Sequence, residues 1–466
     1  MDKVFQYAID RVTAAFPASG AAFGAVRDGK VIVRDTWGAA ELENRTPVTA
    51  QTVFDVASES KAFACFLFSQ LCDDGLLDWD KPVRTWWQDF HFSDEYVSAH
   101  ITPRDLASHR SGLTSHGLMR RQPDIQSIKE AAERAQFLAP CCGFREEFHY
   151  QNELYAVLGY LCERVTGKSY QELIRERICK PIGMELIFRS EAPRDDWQYA
   201  EPYVLRRTEL QHTARDFCKY NDPCGGVRAN LENMLKWLTL LTRGGVAPDG
   251  TRLLSEKLFR NLYYPNSFWT MGGGRDRMRS YGLGLAPSVF RGELLAYHGG
   301  SLGGFKTQLG FFPELGCGYF ATINSDTMPL LYVLKNILAD TVLERREDSY
   351  DAIIDARIEK FAKENEARPA VKPTVLPLTE AQKKNFCGEY YNGAYHNSTI
   401  SLNDDGGLAV TCGIDTADIY QTAENVFRGR FRVCRIGADC VFDPDGQRVR
   451  MSFCDTFSPD EFVKLK

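Results

Sequence analysis

Ser58 and Lys61 stand three residues apart in the stretch Phe54-Asp55-Val56-Ala57-Ser58-Glu59-Ser60-Lys61. Behind them, in the apolar run Ala62 to Leu71, Phe63, Phe66, Leu67, Gln70 and Leu71 keep helical spacing. A helix that opens near Ser58 puts residues three apart on one face, so hydroxyl and amine can touch. That is the geometry a serine nucleophile needs if a lysine is to take its proton. The helix N-terminus adds partial positive charge where negative charge develops. Partial desolvation makes an amine a usable base at neutral pH. The same spacing also fits an ordinary helix start, with Ser58 as cap and Lys61 in water. Ser60 is the rival hydroxyl, but it lacks the three-residue spacing to a lysine.

Two later stretches could supply partners. Phe148-His149-Tyr150-Gln151-Asn152 precedes an apolar helix. Its tyrosine offers a phenol able to relay protons, and its asparagine an amide able to orient a substrate carbonyl or Lys61. The competing reading is a partly buried Tyr150 followed by Asn152 as an N-cap. His298-Gly299-Gly300-Ser301 follows a strand expected at Leu294 to Tyr297. Two glycines there let a substrate backbone lie close to the strand. The Ser301 N–H, paired with that of Ser58, could form an oxyanion hole. Alone, this stretch also reads as a glycine-rich hairpin end.

The elements that must position these residues are legible in outline. Met1 to Phe16 reads as an amphipathic helix, and Ala21 to Val26 and Lys30 to Thr36 as strands joined at Asp28-Gly29. A mainly helical region follows from about Asp78 to Arg243. In it Thr102 caps a helix begun by Pro103, and helices run over Leu154 to Thr166 and Tyr170 to Ile178. Strands return at Tyr281 to Leu285, Leu294 to Tyr297, Phe305 to Phe312 and Gly318 to Ile323. Strands at both ends with helices between predict an α+β fold: one antiparallel sheet drawn from distant parts of the chain, flanked by helices. Met328 to Glu366 reads as helical, and Pro369, Pro373 and Pro377 as a linker. Short alternating segments, among them Thr399 to Leu402, Leu408 to Thr411 and Phe431 to Val433, predict a small antiparallel β module.

Composition narrows the function classes. The chain has 466 residues, 44% hydrophobic and 25% charged, with net charge −6, which fits a globular protein and argues against a nucleic-acid surface. No stretch reaches transmembrane length, and Met1 to Phe16 lacks the apolar core of a signal peptide. The 14 cysteines include no CxxC pair, and the adjacent Cys141 and Cys142 are poor partners for one another. Reduced, mostly buried thiols in a cytoplasm are expected. No metal site is expected, because the eight histidines do not group with cysteines along the chain.

The order Ser58-x-x-Lys61, Tyr150-x-Asn152, His298-Gly299-Gly300 resembles the serine β-lactamase and penicillin-binding-protein superfamily, most of all its class C β-lactamase-like branch of esterases, D-aminopeptidases, D-amino-acid amidases and acyltransferases. Other stretches are similar to that branch: Ile101 to Leu113, Leu158-Gly159 through Gly167-Lys168-Ser169-Tyr170 to Pro181-Ile182-Gly183-Met184, Cys224-Gly225-Gly226-Val227 through Trp237 to Gly244, and Phe311-Phe312-Pro313 with Asn324. The likeness spans roughly residues 1 to 345, and the module after the linker resembles a lipocalin-like β-barrel domain. The implied organisation is a catalytic domain over 1–345, a helix and proline-containing linker over 346–378, and a β domain over 379–466.

What the resemblance implies is acyl transfer through an acyl-enzyme on Ser58. Lys61 and Tyr150 would shuttle the proton, Asn152 and His298 would position groups and substrate, and Gly299, Gly300 and Ser301 would line the oxyanion side. No cofactor or metal is implied. The expected partner is a small ester or amide, with no nucleic acid and no membrane, and with homo-oligomerisation left open. The favoured activity is a cytoplasmic esterase or amidase/D-peptidase. The alternatives are an acyltransferase on the same scaffold and, further off, a non-catalytic ligand sensor. His298 stands where many β-lactamases carry lysine, which fits the esterase and peptidase members better. Arg110 replaces the usual small polar residue before Ser111-Gly112-Leu113. The segment Thr114 to Glu147 matches nothing well, and Arg120, Arg121 and Arg145 in or near it read either as selectors of an acidic substrate or as a solvated face.

Overall fold

A computed structural model describes residues 1–114, 117–206, 208–215, 218–273, 276–365, 376–432, 437–453 and 460–465, and leaves the side chains of 272–277 aside. Val433 at the expected strand end and Pro369 and Pro373 of the expected linker lie outside the described residues. Contacts divide the chain into two compact units: Met1–Trp79, Cys162–Phe217 and Asn221–Ala367; and Asp80–Leu161, Cys218–Tyr220 and Arg368–Lys466.

The first unit is built on an antiparallel sheet of nine strands. From edge to edge these are Thr46–Pro47, Lys30–Glu41, Gly20–Arg27, Cys317–Ile323, Phe305–Phe312, Glu293–Leu302, Ala286–Phe290, Asp276–Tyr281 and Ser267–Gly273. The first hairpin turns where expected: Asp28 and Gly29 both have positive φ, at 51° and 72°, as a tight primed turn requires. The central pair joins the two ends of the sequence, from Ala21↔Ile323 to Arg27↔Cys317. Every residue of Cys317–Ile323 is buried, so the sheet is covered on both faces. On one face Phe23 meets Phe5 of the helix Lys3–Ala15, with ring centroids 5.0 Å apart. On the other, a Cβ at Gly24 would fall 2.9 Å from Leu235 of the helix Leu231–Thr242. Trp237 of that helix stacks on Phe63 at 4.1 Å, which seats the helix Ser60–Asp73 behind it.

The buried helix Ser60–Asp73 has no solvent face over Ser60 to Leu71, whereas the apolar spacing alone indicated a single buried face. Three other expectations change. The strand expected over Tyr281 to Leu285 stops at Tyr281. The chain turns there at Gly284, φ +76°, where a Cβ would lie 2.5 Å from the Lys61 carbonyl oxygen. His298 to Ser301 does not follow a strand but lies inside Glu293–Leu302. The stretch after Met328 is two helices, Met328–Val342 and Asp351–Asn365, broken near Glu344 at φ 55°.

The second unit joins short helices to a closed barrel. Thr102 caps Pro103–Ala107 as expected, and Asp105 returns the bond in a capping box. The expected β module is an eight-stranded antiparallel barrel running from Gly388–Asn392 to Asp460–Lys464, closed by Tyr390↔Lys464 and Tyr391↔Val463. Closure leaves no strand edge exposed. The barrel packs on the segment before Tyr150. Ile414 N donates to Arg121 O at 3.1 Å, and Ala139 N to the Asp460 carboxylate at 2.8 Å. A Cβ at Gly393 would sit 2.5 Å from the Phe137 ring. Among the described residues no helix is long and apolar enough to cross a membrane.

Candidate active site

The strand Val53–Asp55 delivers the chain into a tight 3-10 turn, Ala57–Glu59, and the α-helix begins only at Ser60. Asp55 is buried against Arg228, whose Nε donates to it at 2.9 Å, with Arg189 3.5 Å away. Ala57 has φ 51°, a left-handed conformation that costs a non-glycine residue energy. This turn presents a half-buried Ser58, and Lys61 Nζ lies 3.3 Å from its Oγ. Lys61 is fully buried, and its Nζ also donates to the Cys224 carbonyl oxygen at 2.8 Å. An amine so held is aimed at Ser58 without a rotamer search.

Ser60 serves the turn. Its buried hydroxyl donates to Ala57 O at 2.7 Å and accepts from Val227 N at 3.0 Å. Both capacities are used internally, which removes it as a rival nucleophile. Glu59, which the sequence reading passed over, is fully buried between Ser58 and Ser60 and accepts from Leu309 N at 2.7 Å. Burial raises its carboxyl well above the usual range, against the lowering effect of the Leu309 N–H. Glu59, whose protonated form burial favours, ties the nucleophile turn to the strand Phe305–Phe312. A glutamate inside Ser-x-x-Lys, followed by an apolar helix, was the available signal.

The strand Glu293–Leu302 runs against the same turn. A Cβ at Gly300 would lie 2.4 Å from Val56 O and 2.2 Å from Thr307 Oγ1, which itself donates to Val56 O at 3.0 Å. Gly300 is thus required by the protein's own backbone. A Cβ at Gly299 would meet nothing nearer than 3.6 Å. His298 is buried, with Nδ1 2.6 Å from Gly299 O and Nε2 2.7 Å from Tyr281 Oη. A carbonyl can only accept, so Nδ1 carries the proton and Nε2 accepts from the phenol. Burial pushes His298 down to about 3, with its closeness to Lys61 acting in the same direction. The ring is therefore neutral beside Lys61. Ser301 is exposed, and its Oγ accepts from Lys306 Nζ at 2.6 Å.

The carbonyl that holds Lys61 belongs to the short helical turn Asp222–Gly225. Asp222 anchors it, accepting from Gln171 Nε2 at 2.6 Å and from the Ser190 hydroxyl. Burial raises Asp222 to about 6, opposed by the Ser190 and Gln171 hydrogen bonds.

Tyr150 and Asn152 belong to the second unit and are half-buried there. His109 organises their loop. Its ring lies 4.4 Å from the Tyr150 ring, its Nδ1 accepts from Gln151 N at 3.1 Å, and its carbonyl accepts from His149 N at 3.1 Å. His109 is buried at φ 62°. Gln151 supplies a side-chain acceptor at the next helix, taking the Leu154 N–H at 2.7 Å. Arg145 and Arg110 converge on the buried Asp105, with contacts of 2.7 and 2.9 Å. Burial pushes Asp105 up, yet the hydrogen bonds from Arg145 and Thr102 outweigh it and hold the carboxyl below its usual range. Arg145 therefore clamps the fold, and Arg110 acquires the same purpose.

Residues 9–343 match the Beta-lactamase family. The chain belongs to that family. It is 26% identical over 403 residues to the unguisins hydrolase ungD' of Aspergillus campestris, covering 80% of this chain and 74% of that protein. It is 26% identical over 316 residues to a D-aminopeptidase of Gluconobacter oxydans, covering 65% of this chain and only 55% of that one. In fold it is similar over the whole of both chains to an octameric penicillin-binding protein homologue from Pyrococcus abyssi, at a TM-score of 0.66 and 19% identity. That likeness takes in the barrel as well as the sheet. Family membership carries the reaction class: a serine hydrolase that opens amide or ester bonds.

Proposed function

We propose that this β-lactamase-family protein hydrolyses an amide or ester of a small substrate through an acyl-enzyme on Ser58, with amides next to a D-configured residue favoured. The observation that carries the reading is the Lys61 amine, buried, held by the Cys224 carbonyl and 3.3 Å from the Ser58 hydroxyl. Ser58 Oγ attacks the carbonyl as its proton passes to Lys61. The Ser58 and Ser301 N–H groups stabilise the oxyanion, and Tyr150 returns a proton to the leaving group. Asn152 orients the substrate carbonyl. His298, with both ring nitrogens engaged inside the protein, is a positioning residue for the strand end that bears Gly299, Gly300 and Ser301. Water then releases the acyl group from Ser58.

The D-amide preference is supported by the D-aminopeptidases among the relatives. A cytoplasmic setting and assembly of several copies are parts of the same reading, the second supported by the octameric homologue. Incubation with a fluorophosphonate, followed by intact-mass measurement and turnover of p-nitrophenyl esters, D-amino-acid amides and β-lactams, tests the proposal. A Ser58 adduct with turnover of the D-amides is expected. Labelling elsewhere, or no turnover of any panel, sinks it. Release of acyl products onto an added alcohol or amine in preference to water would convert the reading to acyl transfer.

A further inference from the structure

Along the chain the histidines do not group with the cysteines, yet folding brings His149 to two of them. Cys141, Cys142 and His149 present donor atoms that all lie within 4.8 Å of one another. The turn at His109–Gly112 makes this happen. Cys141 N and Cys142 N both donate to Gly112 O, at 2.8 and 3.3 Å, while His149 N donates to His109 O at 3.1 Å. Gly112 has φ +86°, and a Cβ on it would lie 2.7 Å from Cys142 O, so the turn accepts only glycine. The two ends of the loop 141–149 are thereby pinned three residues apart on one turn, facing each other. All three side chains are half-buried, shielded yet within reach of an ion. Cys141 Sγ lies 3.4 Å from Gly112 O, and Cys142 Sγ lies 3.6 Å from Gly143 O and 3.9 Å from Gly112 O. Glu147 Oε2 lies 3.1 Å from His149 Nε2, placing a carboxylate at the rim.

We propose that Cys141, Cys142 and His149 form a binding site for a soft divalent metal ion, Zn²⁺ foremost, beside the Tyr150 loop. Two sulfurs and an imidazole select zinc over magnesium or calcium, which take oxygen ligands. Zinc–sulfur bonds of about 2.3 Å and zinc–nitrogen bonds of about 2.0 Å require tetrahedral donors to close in by roughly an ångström, within reach of side-chain rotation. On binding, each thiol releases its proton to solvent and ligates as thiolate, so the ion enters as two protons leave. Glu147 receives the imidazole N–H or fills the fourth position, and either role strengthens the site. His149 directly precedes Tyr150, whose ring rests on His109. An ion that draws the loop together shifts that tyrosine and lowers turnover; this second consequence rests on the proposed role of Tyr150, whereas the binding does not.

The test uses the reduced full-length protein. Calorimetric titration with Zn²⁺ and absorption on adding Co²⁺ should show one equivalent bound and a thiolate–cobalt charge-transfer band. Cys142→Ser and His149→Ala should lose the band, and Glu147→Gln should weaken zinc binding by about tenfold or more. Cys387→Ser, a half-buried thiol in the barrel unit, should leave both signals unchanged. Circular dichroism melting establishes that each variant is folded, and Glu147→Gln serves where the thiol variants are not. No cobalt band in the wild type, or equal affinity in Cys142→Ser, overturns the site. Zinc should inhibit the wild type and spare Cys142→Ser, whose metal-free turnover should match it. Binding without inhibition keeps the site and overturns its coupling to Tyr150. A protein that binds cobalt but hydrolyses no substrate refutes the hydrolase reading alone.

Discussion

The Cys224 carbonyl oxygen accepts from Lys61 Nζ at 2.8 Å, and the same nitrogen stands 3.3 Å from Ser58 Oγ. Residues 163 apart in the chain thus fix where the base points. A backbone acceptor cannot drift as a side chain can, and the turn that carries it is anchored by the buried Asp222. The amine is preorganised by the fold before any substrate arrives.

Ser58→Ala should lose essentially all hydrolysis while melting like the wild type, because among the described residues its hydroxyl meets Lys61 and does not tie the turn as the Ser60 hydroxyl does. Ser60→Ala should do the reverse. It removes one buried acceptor and one buried donor and should cost about 1–3 kcal/mol in chemical denaturation. Full activity in Ser58→Ala would refute the nucleophile.

Lys61→Ala should be nearly as damaging as the loss of Ser58, since members of one catalytic unit do not contribute additively. Tyr150→Phe keeps the ring against His109 and should leave KM largely intact while lowering kcat by about a hundredfold or more. Steady-state kinetics separate the two. An unchanged kcat in Tyr150→Phe would make that residue structural.

Gly300→Ala and Gly299→Ala should differ sharply. The first drives a methyl to within 2.4 Å of the Val56 carbonyl oxygen, displacing the nucleophile turn, whereas the second meets nothing nearer than 3.6 Å. Loss of turnover by about tenfold or more in Gly300→Ala alone is expected, for an ångström of displacement at a reacting group costs at least that much. Equal effects would mean that both glycines serve substrate access.

Glu59→Gln probes pH. Unfolded Glu59 ionises near its ordinary value of about 4.3, whereas the buried native residue holds its proton well beyond that. In that window the native state binds the extra proton, so stability falls as pH rises from about 4.3 toward the native value. Glutamine keeps an acceptor for Leu309 and cannot ionise. The melting temperature of Glu59→Gln should match the wild type at low pH and exceed it increasingly above. A constant difference across pH would show that Glu59 is not protonated in the fold.

A chain ending near residue 370 lacks the barrel, and with it the partners of Arg121, Ala139 and Phe137. It should still form the Ser58 fluorophosphonate adduct, since Ser58 and Lys61 belong to the other unit, but with altered substrate preference or oligomeric state. Failure of a folded truncation to label would show that the barrel completes the site.

Ser58 with Lys61, the first hairpin, the central strands and the C-terminal β module were legible because each depends on local pattern: three-residue spacing, alternation, a turn at Asp28-Gly29. The neighbours of these elements were not. Glu59 drew no reading of its own, because nothing in its stretch reveals that Leu309 arrives to bond it in a buried place. Gly300 read as space for substrate, and its need to clear the Val56 carbonyl stayed hidden because that strand arrives 244 positions later in the chain. His149 looked remote from Cys141 and Cys142 until the turn at Gly112 pinned both ends of their loop. Sequence spacing decides which side chains one element can present together. Only the packed structure decides what meets them from elsewhere, since burial and long-range backbone bonds are properties of the assembled sheet and not of any segment.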